Sequence, residues 1–301
     1  MITLSGGGYT AKIDPARGGN CISLRHAPTG ARILREPVSY PLDNPYLYGM
    51  PILFPVNRIA GGRFLFEGRE YRFPINEPST GCHLHGTLHE TPFTVTQQSA
   101  DAVRLVFDAP YLDFPHRFCL SLAYTLSERG LSVVCEVENR SDENMPVFLG
   151  YHTTFAVPFL PDGDAGDCRV FADLGDEIER NMANYLPTGR ILPPDDVTRR
   201  MQTGDFPPHE KPISRHYRAA HEGRIRLTDI ARGVRVVYEN SENLSYRLFY
   251  NGQADAYICL EPQTCMANCQ NAPFAREEAG FDVIPPRGQK TYLSRIYLET
   301  L

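Results

Sequence analysis

Nowhere does the chain approach the ~20 consecutive apolar residues that a membrane-spanning helix needs. Helical insertion into a bilayer is therefore excluded. The first residues, MITLSGGGYTAKIDP, lack a basic stretch followed by a long apolar one, so no export signal is visible and a cytoplasmic protein is expected. Eight cysteines are present, at 21, 82, 119, 135, 168, 259, 265 and 269, but none form the C-x2-C pairs of a zinc ribbon. Without an export signal they read as reduced thiols. There is no basic excess either. The net charge of −6 and pI near 5.9 repel phosphate backbones, which argues against nucleic acid but suits a small neutral ligand. Neither a linker nor an internal repeat breaks the 301 residues, so residues 1–301 are expected to form a single domain.

Helix signals are also scarce. With 25 prolines and 24 glycines spread throughout, few windows can hold three helical turns. Strand signals dominate instead. In CLSLAYTLSERGLSVVCEVEN (119–139), Leu120, Leu122, Tyr124 and Leu126 share one face of a first run. Leu131, Val133, Cys135 and Val137 share one face of a second. Such alternation across Glu128-Arg129-Gly130 is a β-hairpin pattern. The segments 64–73 and 224–240 repeat it around Glu67-Gly68 and Arg232-Gly233, and 289–300 reads as a closing strand. Many short strands with turn punctuation predict an all-β protein, a large antiparallel sandwich. The proline-rich, polar stretch at about 160–216 is expected to be a long, loop-rich excursion that either borders a binding site or decorates the surface.

Four segments carry candidate chemistry. CHLHGTLHE (82–90) holds three histidines and a glutamate. His83 and His85 would share a strand face, and with Glu90 they match the spacing of a cupin metal half-motif, suited to iron, manganese or zinc. The glycines of that motif and its second histidine segment are absent. In PILFPVNRIAGGRF (51–64), Arg58 sits between apolar residues at an expected strand end. Its planar fork could bind a carboxylate, a phosphate or two hydroxyls, or simply form a structural ion pair. FLGYHTTFAVPF (148–159) contains an isolated His152, either a satisfied core residue or a proton donor at neutral pH. AYICLEPQTCMANCQNAPF (256–274) ends an apolar strand on Glu261. A carboxylate there is costly unless paired or used, and burial would strengthen it as a base.

Taken in order, NRIAGGRF with EGREY, LHG, an isolated histidine before T-T-F, LPTG, and LEPQ followed by NAP resemble the aldose 1-epimerase (galactose mutarotase) family. The resemblance runs from about residue 45 to the end. It implies a galactose mutarotase-like supersandwich and a cofactor-free, metal-free isomerase that interconverts sugar anomers through ring opening. By that resemblance Glu261 is the base and His152 the acid. Arg58 and His85 would bind sugar oxygens, with Asn57 and Gln263 as further hydroxyl contacts. His83 would stand beside His85 and share its cleft in the strand reading above, and His89 and Glu90 would be surface or supporting residues.

One departure from the family pattern concerns substrate. Where the family carries an aspartate after the LPTG stretch, this chain has PISRHYR (212–218), with Ser214, Arg215 and His216 near the expected position. A basic pair there could suit an anionic sugar such as a hexose 6-phosphate, or Arg215 could pair with an acidic neighbour. The expected substrate is thus a free or phosphorylated hexose, and the chain a monomer or homodimer. Two rivals stand beside this reading: a non-catalytic sugar-binding domain on the same fold, and a metal-dependent cupin-type isomerase using His83, His85 and Glu90.

Overall fold

The computed structural model describes residues 1–301 apart from Pro41, His221, Glu222 and Asp255. Strands dominate it, and one α-helix, Asp196–Thr203, occurs among the described residues. All pairings between the strands named below are antiparallel. Two eight-stranded sheets form the body, and a four-stranded sheet of N-terminal segments lies beside them.

The expected hairpins are present with their register. Phe118–Ser127 pairs with Gly130–Asn139, closing at Ser127 opposite Gly130. Gln289–Thr300 lies next to Gly130–Asn139 and joins it to Val234–Asn240 in the first large sheet. Alternation explains why these strands form. Leu120, Leu122, Tyr124 and Leu126 on one strand, and Leu131, Val133, Cys135 and Val137 on its neighbour, are all buried in one contiguous core. Each large apolar side chain buried this way contributes about 1.5–3 kcal/mol. The second large sheet packs across that core, with Phe155 against Tyr238 and Phe54 against Phe118. The result is the all-β sandwich.

The stretch 160–216 is more ordered than its composition predicts. It holds the strands Cys168–Ala172, Leu174–Asn181 and Leu186–Leu192, the helix, and the start of Ser214–Ala219. Leu186–Leu192 is the outermost strand of the second sheet. One side of an edge strand meets solvent, so Pro187, Thr188, Gly189 and Arg190 are tolerated there. The helix is defined by its caps: Asp195 Oδ1 accepts from the Thr198 amide at 2.9 Å, and Gly204 ends it in the left-handed conformation. The prolines and acids at 193–196 mark a strand end and a helix cap, while 161–164 and most of 204–213 are turns and irregular chain.

The same second sheet positions the candidate residues. Tyr257–Gln263 is buried throughout, between Tyr246–Tyr250 on one side and the segments Gly150–Tyr151 and Thr154–Ala156 on the other. Gly150 pairs with Gln263 and Thr154 with Cys259. Between them the ladder is interrupted, since Pro262 has no amide to donate. The register therefore puts His152 opposite Glu261.

Candidate active site

Glu261 and His152 meet at the break in that ladder. His152 Nε2 lies 3.3 Å from Glu261 Oε1, and the carboxylate is only 1% exposed. Both side chains line one cavity of about 480 Å³, within the range of small-molecule sites. Arg58, His85, Asn57, Tyr46, Arg180, Tyr185 and Ser214 line it too.

Burial acts on the two groups in opposite directions. It pushes the Glu261 carboxyl up to about 8, partly offset by Arg180, by the Gln263 hydrogen bond and by Arg58. It pulls the His152 imidazole down to about 3. Desolvation disfavours whichever form is charged, so the unliganded pair favours a protonated carboxyl beside a neutral imidazole. That neutral pair holds one proton, as would a carboxylate–imidazolium pair. His152 Nδ1 and Glu261 Oε1 are buried without a hydrogen-bond partner, leaving unmet polar capacity at the centre of the cavity.

Arg58 opens the strand Arg58–Ala60, which pairs with Cys82–Leu84. Its Nε and Nη2 each reach Glu77 at 2.6 Å, and the guanidinium stands 4.4 Å over the Tyr185 ring. It is thus both ion-paired and part of the cavity wall. Asn57 and His85 both adopt left-handed backbone and bind one another. The His85 amide donates to Asn57 O at 3.0 Å, and the Asn57 amide donates to His85 Nδ1 at 3.2 Å. With Nδ1 accepting, a neutral His85 carries its proton on Nε2 as a donor. Burial, reinforced by His152 and Arg58, holds this imidazole well below its usual range, hence neutral.

Several expectations need correction. Gln263 is fully buried behind the cavity wall and does not line it. Its Nε2 donates to Glu261 Oε2 at 3.2 Å, and its Oε1 accepts from Asn57 Nδ2 at 3.1 Å, so it holds the carboxylate. His83 does not face the cleft with His85, because the strand stops at Leu84 and His85 turns into left-handed backbone. His83 is buried against Phe73, with Nδ1 2.8 Å from Pro74 O. His89 is buried beneath Tyr46, whereas Glu90 is exposed. His83, His85 and Glu90 therefore do not converge. Among the described residues the group with metal-ligand spacing is His152, Cys259 and Glu261.

Arg215 resolves toward its ion-pair reading. It reaches Asp195 at 2.6 Å and Glu177 at 2.9 Å and does not line the cavity. His216 is completely buried, 5.9 Å from the Tyr246 ring, and burial pulls it well below its usual range. Neither residue presents a charge to this cavity. Ser214 does line the cavity, beside Arg180, which sequence reasoning missed. Arg180 lies in GDEIERN, where nearby acids suggest a surface ion pair, and only the strand pairing reveals its inward direction. Tyr46 and Tyr185 carried no recognisable signal either.

Comparison with known proteins agrees with the fold. The aldose 1-epimerase family profile matches residues 1–292. The chain is 30% identical to YihR of Escherichia coli K12 over 153 residues, half of this chain and 48% of YihR, so it spans about half the length of that relative. It is 29% identical to YphB of the same organism over 226 residues, 71% of this chain and 72% of YphB. A galactose mutarotase-like protein from Clostridium acetobutylicum superposes with a TM-score of 0.94 at 31% identity, covering 100% of this chain and 95% of that one. A GalM/aldose epimerase homologue from Caenorhabditis elegans shares the fold at a TM-score of 0.79 and 15% identity, covering 100% and 98%. A galactose mutarotase-like sandwich with a buried carboxyl–imidazole pair in a ligand-sized cavity defines the class. The chain belongs to the aldose 1-epimerase family.

Proposed function

We propose that the protein interconverts the α and β anomers of an aldohexose by acid/base opening of its ring. The observation that carries this reading is the 3.3 Å approach of His152 Nε2 to Glu261 Oε1 inside a cavity of ligand size. The anomeric hydroxyl oxygen and the ring oxygen are bonded to the same carbon, so an acid and a base must stand side by side to serve both.

In the productive state Glu261 is the carboxylate and His152 the imidazolium. Glu261 takes the proton of the anomeric hydroxyl. The bond between the anomeric carbon and the ring oxygen breaks, and His152 protonates that oxygen. Rotation about the bond from the carbonyl carbon to its neighbour exposes the other face. Reclosure reverses both transfers and gives the other anomer. Atoms and electrons are conserved, so no redox partner or group donor is required. Sugar hydroxyls entering the cavity supply hydrogen bonds to the unpartnered atoms of the pair, which favours its ionic form. Arg58 and the Nε2 donor of His85 are suited to hold sugar oxygens.

The test is polarimetry on freshly dissolved α-glucose, α-galactose and hexose 6-phosphates, with wild type beside Glu261→Gln and His152→Asn. Wild type should accelerate equilibration, and each variant should lose about 10²–10⁴-fold. If all three proteins leave the spontaneous rate unchanged for every sugar while still binding one, a sugar-binding role replaces the enzymatic one.

A further inference from the structure

One cation at the cavity lacks an ion-pair partner at contact distance among the described residues. Arg58 is held by Glu77 through two bonds of 2.6 Å. Glu261 faces His152. Arg180 is 8% exposed and lines the same cavity. Among the described residues no carboxylate makes an ion pair with it. Its polar contacts are made through Nη2, which donates to the Ser214 carbonyl at 2.6 Å and to Ser214 Oγ at 3.0 Å, and its guanidinium lies 5.8 Å from the Tyr185 ring. These contacts orient the fork, and the carboxyl groups that act on it, Glu261 and Glu177, make no ion pair with it. A guanidinium this buried is costly without a counter-ion.

Sheet order gives the cation a direction relative to the chemistry. Arg180 is the penultimate residue of the strand Leu174–Asn181, which is three strands from Tyr257–Gln263 in the same sheet. At sheet spacing their backbones are about 14 Å apart. Arg180 thus approaches the cavity from the side away from the strand that carries Glu261. A sugar whose anomeric carbon meets Glu261 and His152 would direct its far substituents toward Arg180.

Resting on the anomer-interconverting reading, we propose that Arg180, oriented by Ser214, binds an anionic group carried by the sugar on the side away from its anomeric carbon. Phosphate, sulfate and carboxylate share the required chemistry: oxygens that accept two parallel donors from a planar fork. The preferred substrate is then an acidic sugar. Its anion supplies the direct ion-pair partner that Arg180 lacks among the described residues.

Calorimetric titration tests the site separately from catalysis. Wild type, Arg180→Gln and Arg180→Lys would each be titrated with glucose, glucose 6-phosphate, glucose 6-sulfate, glucuronate and inorganic phosphate. Their melting temperatures would be recorded to verify folding. At least one acidic sugar should bind wild type at least ~30-fold more tightly than glucose, as a buried charge pair requires. That preference should collapse in Arg180→Gln and survive in part in Arg180→Lys, which keeps the charge but not the fork. The three acidic sugars distinguish phosphate, sulfate and carboxylate as the group recognised. Glucose binding as tightly as every acidic sugar would overturn the proposal. So would a preference that persists in folded Arg180→Gln, or inorganic phosphate binding as well as the best acidic sugar. Polarimetry on the same sugars separates the two claims. Acidic-sugar binding without accelerated anomer exchange would sink the enzymatic reading alone. Exchange of glucose with no acidic preference would sink this one alone.

Discussion

Gln263 and Glu261 lie two residues apart on one buried strand and are joined by a hydrogen bond of 3.2 Å from Gln263 Nε2 to Glu261 Oε2. The other end of the Gln263 amide accepts from Asn57 Nδ2 at 3.1 Å, and Asn57 Oδ1 accepts from the Arg58 amide at 3.0 Å. A chain of amides thus links the segment carrying Arg58 and His85 to the carboxylate. The order is positional: Gln263 steers Glu261 without touching the cavity.

Replacing Gln263 with leucine should therefore affect chemistry more than binding. The lost hydrogen bond favours the carboxylate, so its removal raises the Glu261 pKa further above about 8. At pH 7 kcat should fall about 10-fold, the equivalent of one charge-assisted hydrogen bond, and the ascending limb of the pH–rate profile should move to higher pH. KM should change little. A raised KM with kcat and its profile intact would show that Gln263 binds substrate instead.

Stability should also report the buried pair. Glu261, at about 8 when folded against an ordinary 4.5, retains a proton that the unfolded chain releases, so stability is lost as pH rises from 4.5 toward 8. His152, at about 3 against 6.5, refuses a proton that the unfolded chain accepts, so stability is lost as pH falls from 6.5 toward 3. Between 4.5 and 6.5 the two slopes oppose one another. In denaturant titrations at several pH values, Glu261→Gln should abolish the decline above pH 6.5 attributable to this residue. His152→Asn should weaken the decline below pH 4.5. An unchanged high-pH slope in folded Glu261→Gln would show that its carboxyl is not held protonated.

Arg58 and Glu77 offer a different test, because both are largely buried side chains with bidentate geometry. Glu77→Gln keeps the shape but removes the charge that fixes Arg58 in the cavity wall. The variant should lose about 1–3 kcal/mol of stability, between the values for exposed and fully buried pairs, and KM for the sugar should rise several-fold as Arg58 reorients. Loss of stability at unchanged KM would confine the pair to a structural role.

What could be read from the chain divides along the range of the interactions. The hairpin at 118–139 was legible because alternation of Leu120, Leu122, Tyr124 and Leu126 is a local consequence of a buried sheet face. Glu261 and His152 stood out because each interrupts an apolar run, a local signal for a buried ionisable group. Arg180 gave none: its inward direction depends on pairing between Leu174–Asn181 and Ser214–Ala219, far apart in the chain and out of register at a bulge. Gln263 stands out in the LEPQ motif, but its supporting role is not legible there for the same reason. Whether a side chain touches ligand or props up its neighbour depends on what packs behind it, here Asn57, 206 residues away.

Gly86 joins the fold to the site most directly, and a single methyl group should reveal it. It follows His85, and both residues have left-handed backbone, with φ of 61° and 62°. That pair of turns carries the chain out of the strand Cys82–Leu84 and aims the His85 ring into the cavity. A Cβ at Gly86 would collide with the carbonyl oxygen of Phe54 and lie 2.5 Å from the Tyr111 hydroxyl. Tyr111 also accepts from the Thr87 amide at 2.7 Å and donates to that same Phe54 carbonyl, so the crowding cannot be relieved by moving one flexible tip. Gly86→Ala should cost about 1–3 kcal/mol from backbone strain alone, and more from the clash. Folded protein recovered at low temperature should show weakened sugar binding through displaced His85. Wild-type stability and binding in Gly86→Ala would mean that this turn does not set the imidazole.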